Sequence, residues 1–158
     1  MIPTSHTLKC QRLLLGLSLS AFATLAFAGE RGSADEAVAL VKKAEAFYKA
    51  NGKDKALAEF SSPQGSFKDR DLYVMVYDKT GTNLAHGANA KLIGRNLIDL
   101  KDADGKPIVK SFVDLAFAGA GKGWVEYKWP NPVSKTVEEK STYIERHDDV
   151  LIGVGIYK

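Results

Sequence analysis

The sequence predicts an α+β domain in which a long N-terminal helix packs on a five-stranded antiparallel sheet. Three observations predict it. A capped amphipathic helical pattern runs from Ser33 to Asn51. The apolar period then shortens to that of strands from Leu72 to His86. Three further strand patterns close the chain between Trp124 and Tyr157, after a helical stretch at Ile108 to Ala118. Helices gathered before and between antiparallel strands pack on the sheet; they do not connect parallel strands.

Each element has a local reason. Ser33 and Glu36 stand three apart, as in a capping box. Behind them Ala37, Leu40, Val41, Ala44, Phe47 and Tyr48 fall on one helical stripe. Asn51-Gly52 is a C-terminal stop. A shorter helix is expected over Asp54 to Phe60, ended by Ser61-Ser62-Pro63-Gln64-Gly65. Leu72 to Tyr77 is rich in β-branched and aromatic residues. Asp78-Lys79-Thr80-Gly81 is a turn signal, and Thr82 to His86 pairs back. Gly87 to Pro107 is polar and turn-rich. In the Ile108 to Ala118 helix, Ile108, Val109, Phe112, Val113 and Ala116 face inward. The closing strands are Trp124 to Trp129, Lys140 to His147 and Val150 to Tyr157.

The first residues read as an export segment. Lys9 and Arg12 precede an uncharged apolar run, Leu13 to Leu25, and Ala26-Phe27-Ala28 offers a small-x-small cleavage site. A membrane-spanning helix needs about 20 apolar residues, and this run is shorter. The expectation is a signal peptide over residues 1–28 and one mature domain over residues 29–158, located in the periplasm or secreted. Without Lys9 and Arg12, the 22 basic residues become 20 against 19 acidic ones, a net charge of +1. That balance gives no electrostatic footprint for nucleic acid. The single cysteine, Cys10, lies in the export segment, so the domain is expected without disulfides, thiolate ligands or a thiol nucleophile.

Familiar motifs fail on inspection. Gly121-Lys122 is followed by Gly123, where a phosphate loop requires Ser or Thr. Asp102-Ala103-Asp104-Gly105 resembles the middle of a calcium loop, but the frame puts Leu100 and Ser111 at ligand positions. His86 and His147 lie on different predicted strands with no partner at metal-ligand spacing. Ser141, His147 and Asp148 or Asp149 form a triad only by composition. No catalytic residue, metal or cofactor is expected.

One region stands apart. Trp124, Tyr127, Trp129 and Tyr143 come from neighbouring strands with Lys128, Lys140 and Arg146 among them. Aromatic walls with a few directional donors suit a small-ligand pocket, and lysine with a tyrosine hydroxyl suits a carboxylate. Strand alternation puts Leu72, Val74 and Val76 on one face, toward the long helix. Tyr73, Met75 and Tyr77 fall on the other face, with Val125, Tyr127 and Trp129 sharing a face of their own strand.

The segments Asp71-Leu72-Tyr73-Val74-Met75-Val76-Tyr77-Asp78, Leu84-Ala85-His86 and Leu92-Ile93-Gly94-Arg95-Asn96-Leu97 resemble the single Cache domain. So do Gly123-Trp124-Val125-Glu126-Tyr127-Lys128-Trp129-Pro130-Asn131-Pro132, the pair Lys140-Ser141 with Tyr143, and the closing Ile152-Gly153-Val154-Gly155-Ile156-Tyr157. The resemblance implies a PAS-like fold and extracytoplasmic sensing of small molecules, often short carboxylates, in signal transduction and chemotaxis. By carry-over it implies ligand contacts at His86, Trp124, Tyr127, Trp129, Lys140 and Tyr143, above a floor of Tyr73 and Met75. Lys140 and Tyr143 are three apart, so a regular strand places them on opposite faces; a bulge would be needed to bring both to the ligand. The expected partners are a small organic anion and a membrane sensor or chemoreceptor, with a homodimer through the N-terminal helix also open. The chain shows no transmitter segment after Tyr157, so a free-standing sensor domain is expected. The alternative is a ligand-free interaction module that dimerises or docks on a sensor.

Overall fold

The structure is a computed structural model that describes residues 31–158. The expected export segment lies outside the described residues. Helix α1 spans Ala34–Asn51 and α2 spans Lys53–Ser61. The strands are β1 Lys68–Asp69, β2 Leu72–Asp78, β3 Asn83–His86, β4 Lys122–Pro130, β5 Val137–His147 and β6 Val150–Tyr157. A short helix α3, Val109–Val113, continues as one wider π turn over Asp114–Ala118.

The capping box at the start of α1 is complete. Glu36 N–H donates to Ser33 Oγ at 3.3 Å, and Ser33 N–H donates to the Glu36 carboxylate at 2.7 Å. That backbone donor, with Arg70 beside it, holds the Glu36 carboxyl down at about 2. Gly52, at φ 81°, ends α1 by returning its N–H to Tyr48 O at 2.9 Å and opens α2. Ser33→Ala should lower stability by about 1 kcal/mol, read as a drop in the urea midpoint with unchanged slope.

The sheet runs β1-β2-β6-β5-β4, with β3 paired to β2 off this path, and every pairing is antiparallel. The two-residue β1 makes it six-stranded, one more than the sequence pattern shows. A two-residue strand carries no period and is created by its partner. Strand β2 is central and buried on both faces, so it reads as an unbroken apolar run. The strands β4, β5 and β6 pair in continuous register from Lys122↔Glu145 to Pro130↔Val137 and from Lys140↔Tyr157 to His147↔Val150.

Two cores follow from strand alternation. On one face Leu72, Val74, Val76, Ile152 and Val154 meet Ala37, Val41, Ala44 and Tyr48 of α1, as the aliphatic face predicts. The alanines on the buried stripe let the helix approach closely. On the other face Met75, Tyr77, Val125, Tyr127, Ile144 and Leu151 meet Val109, Phe112 and Ala116 from α3 and its π turn. Most of the aromatic face is therefore a second core. Its end near Tyr73 and Trp129 opens to a cleft.

The Asp102 loop is a latch on β4. Asp102 accepts N–H bonds from Asp104 and Lys106 through one oxygen and from Lys128 through the other, at 2.9, 2.9 and 3.0 Å. Its carboxylate is spent on the backbone.

Candidate ligand-binding site

A cleft of about 280 Å³ lies at the open end of the second face, lined by Tyr73, His86, Ala88, Asn89, Trp129, Pro130, Asn131, Pro132 and Lys135. Its rim is the turn after β4, shaped by Asn131. This buried side chain accepts N–H bonds from Val133 at 2.8 Å and Ser134 at 3.4 Å and donates to Glu138 at 3.1 Å. The two prolines around Asn131 stiffen the exit from the strand.

Behind this wall lies Lys140, 1% exposed. Its Nζ is 2.6 Å from the Tyr73 hydroxyl and 3.1 Å from that of Tyr157. It also lies 4.0 Å and 4.4 Å from the centroids of the same two rings. Among the described residues no carboxylate stands within ion-pair distance of it. Burial pushes its amine well below the usual lysine range, against a smaller pull from Asp71. Tyr157 donates its own proton to Pro130 O at 2.9 Å, so the cleft wall and the buried amine share one hydrogen-bond chain.

Lys140 starts on β5, while Tyr73 is on β2, with β6 between them. The side chain crosses because β6 presents Gly155 at that point on this face. A Cβ on Gly155 would stand 2.2 Å from Lys140 Cε and 2.4 Å from Thr142 Oγ1. This glycine is needed for room, not for a positive φ.

His86 is set by backbone donors. Ala88 N–H and Asn89 N–H donate to its Nδ1 at 3.3 and 3.0 Å. A neutral imidazole has one donor and one acceptor nitrogen, so Nε2 carries the proton. Burial, and the neighbouring Lys140, hold His86 down to about 3. Its ring packs on Tyr73 at 5.0 Å. The site therefore offers neutral donors at the cleft and a buried amine behind them.

A His86 pKa depressed from 6.5 means the unfolded chain binds a proton that the folded one refuses. The His86 contribution to stability is full above pH 6.5 and falls as the pH drops toward 3. Urea unfolding between those limits should show a loss of up to about 1.4 kcal/mol per pH unit, flattened in His86→Gln. An unchanged slope in the variant would remove His86 as its source.

The residues named from the sequence separate into three groups. Tyr73, His86 and Trp129 line the cleft, and Lys140 lies behind it. Met75 and Tyr127 are on the same face but buried in the second core, Tyr127 bonding Thr142 Oγ1 at 2.9 Å. Trp124 and Tyr143 lie on the opposite face, 5.4 Å apart between ring centroids, and the Tyr143 hydroxyl donates to Glu145. The unbroken β5 register keeps Lys140 and Tyr143 on opposite faces, and the amine is the one that faces the cleft side. Tyr157, Asn131 and Gly155 escape a search for polar and aromatic clusters. For Gly155 and Tyr157 the signal is the alternation Gly153, Gly155, Tyr157 along one face of the last strand; for Asn131 it is the Pro-Asn-Pro turn.

Comparison with known proteins agrees with this architecture. The sensor histidine kinase MctS of Rhizobium johnstonii is 32% identical over 90 residues, covering 56% of this chain and 19% of the kinase. The methyl-accepting chemotaxis protein McpP of Pseudomonas putida is 32% identical over 91 residues, covering 56% of this chain and 16% of the receptor. The chain thus spans less than a fifth of these relatives. The crystal structure of a methyl-accepting chemotaxis protein from Vibrio parahaemolyticus superposes with a TM-score of 0.66 at 26% identity, covering 78% of this chain and 86% of that one. A Cache chemosensory domain described for carboxylic acid recognition superposes with a TM-score of 0.61 at 24% identity, over 78% of this chain and 86% of that one, a likeness of fold. The profile of single Cache domain 2 matches residues 33–158. This chain belongs to the single Cache domain 2 family.

Proposed function

We propose that this protein is an extracytoplasmic sensor domain that binds a short organic anion, a small carboxylate, in the Tyr73–His86–Trp129 cleft. One observation carries the reading: a fully buried lysine amine, without a carboxylate partner among the described residues, behind a cleft walled by neutral donors and an indole. A buried amine without an anion is costly to fold around, and an incoming carboxylate supplies the missing charge. The carboxylate takes hydrogen bonds from His86 Nε2–H and the Tyr73 hydroxyl, with Lys140 behind them. The short apolar tail lies against Trp129.

The relatives are sensor kinases and chemoreceptors, which supports a membrane protein as the reader of the bound state. Among the described residues no helix is long and apolar enough to cross a membrane. Export by residues 1–28 belongs to the proposal, and intact mass of the protein from the periplasmic fraction should start at Gly29. No catalytic step is part of it.

Thermal-shift and calorimetric titration with acetate, propanoate, pyruvate and lactate test the reading. A ligand at about 100 times its Kd stabilises the fold by about 2.7 kcal/mol. Stabilisation by at least one of them, lost in His86→Phe, is the expected result. No stabilisation by any short carboxylate overturns it.

A further inference from the structure

We propose that the site takes up a proton together with its anion: Lys140 is uncharged in the free domain and becomes an ammonium when a carboxylate enters. The inference rests on the anion-binding reading and concerns the same cleft. A site that binds anion and proton together responds to the product of their concentrations. That product is proportional to the undissociated acid. The domain would then report weak acid in its surroundings, rather than carboxylate at any pH.

The groups around the amine are largely uncharged. From β2 come the hydroxyl and ring face of Tyr73, and from β6 those of Tyr157. From β3 comes His86, whose acceptor nitrogen is occupied by two backbone N–H groups. From β4 comes Tyr127, opposite Lys140 in register, with its hydroxyl on Thr142. Among the described residues, neither Asp71 nor Glu138 pairs with it. Asp71 on the β2 side receives Gly32 N–H at 2.8 Å. Glu138, two residues back on β5, is held by Arg31 at 3.2 Å and by Asn131 and Ser134.

Two ring faces offset only part of the desolvation of an ammonium, so the free site favours the uncharged amine. The direction of the lysine shift agrees with this. The 2.6 Å contact with Tyr73 serves both states: an ammonium donates to the phenol oxygen, and an uncharged amine accepts the phenol proton. Charging the amine thus needs no movement of heavy atoms. The proton comes from the solvent buffer, and no bond other than N–H forms.

The test is calorimetric titration of the purified protein with propanoate in two buffers of different ionisation enthalpy, at mildly alkaline pH. The expected result is an uptake approaching one proton per anion. Affinity should fall about tenfold per pH unit above the pKa of the free amine. Lys140→Arg keeps its charge at every accessible pH, so its binding should take up no proton. His86→Gln, where it still binds, should keep the uptake. Binding with equal heats in both buffers and a flat pH profile overturns proton uptake and leaves the anion reading standing. Uptake lost in His86→Gln and kept in Lys140→Arg places the proton on the histidine and overturns the assignment. No binding of any short carboxylate overturns both.

Discussion

Gly155→Ala is expected to weaken carboxylate binding roughly 10- to 100-fold, through the loss of one charge-assisted hydrogen bond. The new Cβ would meet Lys140 Cε at 2.2 Å and Thr142 Oγ1 at 2.4 Å, so the flexible lysine is driven off its path across β6. Stability should fall by about 1–3 kcal/mol, the usual range for an overpacked interior. Gly153→Ala is the matched control. Its Cβ would meet Ile144 at 3.0 Å, the Met75 methyl at 3.2 Å and the Thr142 methyl at 3.4 Å before any atom of Lys140. Binding should survive there while stability drops modestly. Equal affinity in Gly155→Ala and wild type, measured by calorimetry, would show that Lys140 does not need this trough.

Lys140→Met has the opposite signature: a more stable protein that no longer binds. Methionine fills the lysine stem's volume and removes an amine that burial penalises. The hydroxyls left behind keep partners, because Tyr157 still donates to Pro130 O and Tyr73 lies 3.3 Å from Tyr157. The gain should be about 1–4 kcal/mol at neutral pH, because the folded chain no longer has to hold a lysine amine uncharged below its ordinary range, at about 1.4 kcal/mol per pH unit. The pH dependence fixes its sign. The folded amine titrates below its unfolded value, so the wild type gains stability as pH rises toward about 10.4, and the gap to the variant should narrow there. A variant less stable than wild type in urea would show that the amine's hydrogen bonds outweigh its desolvation. Stability given up for a buried binding group is a common cost of function.

Much of the fold is legible in the residues. The capping box at Ser33 and Glu36, the alanine-rich stripe behind it and the turn at Asp78 are local signals, and each appears where its chemistry demands. The aliphatic face of β2 points to the helix because alternation on a strand is strict. The two-residue β1 and the π turn after α3 are not legible, since both exist only through their neighbours. Of the candidate site, Trp129 and Lys140 were legible as residue types and Tyr73 by strand alternation, while His86 came from the family resemblance. The grouping of Trp124 and Tyr143 with them was not resolved, because residue type says nothing of which face a strand shows its partner.

The sequence alone determined an antiparallel α+β domain, its two faces and the aromatic-rich strands near its end. Those features follow from periodicity and turn chemistry, which act over a few residues. Tertiary structure decided that most of the aromatic face is core beneath α3, and that a lysine from β5 lies across Gly155 of β6 to reach a tyrosine of β2. That crossing depends on strand order and register, which arise from contacts far apart in the chain. A buried amine facing a cleft is a property of three strands together, and no one of them carries it.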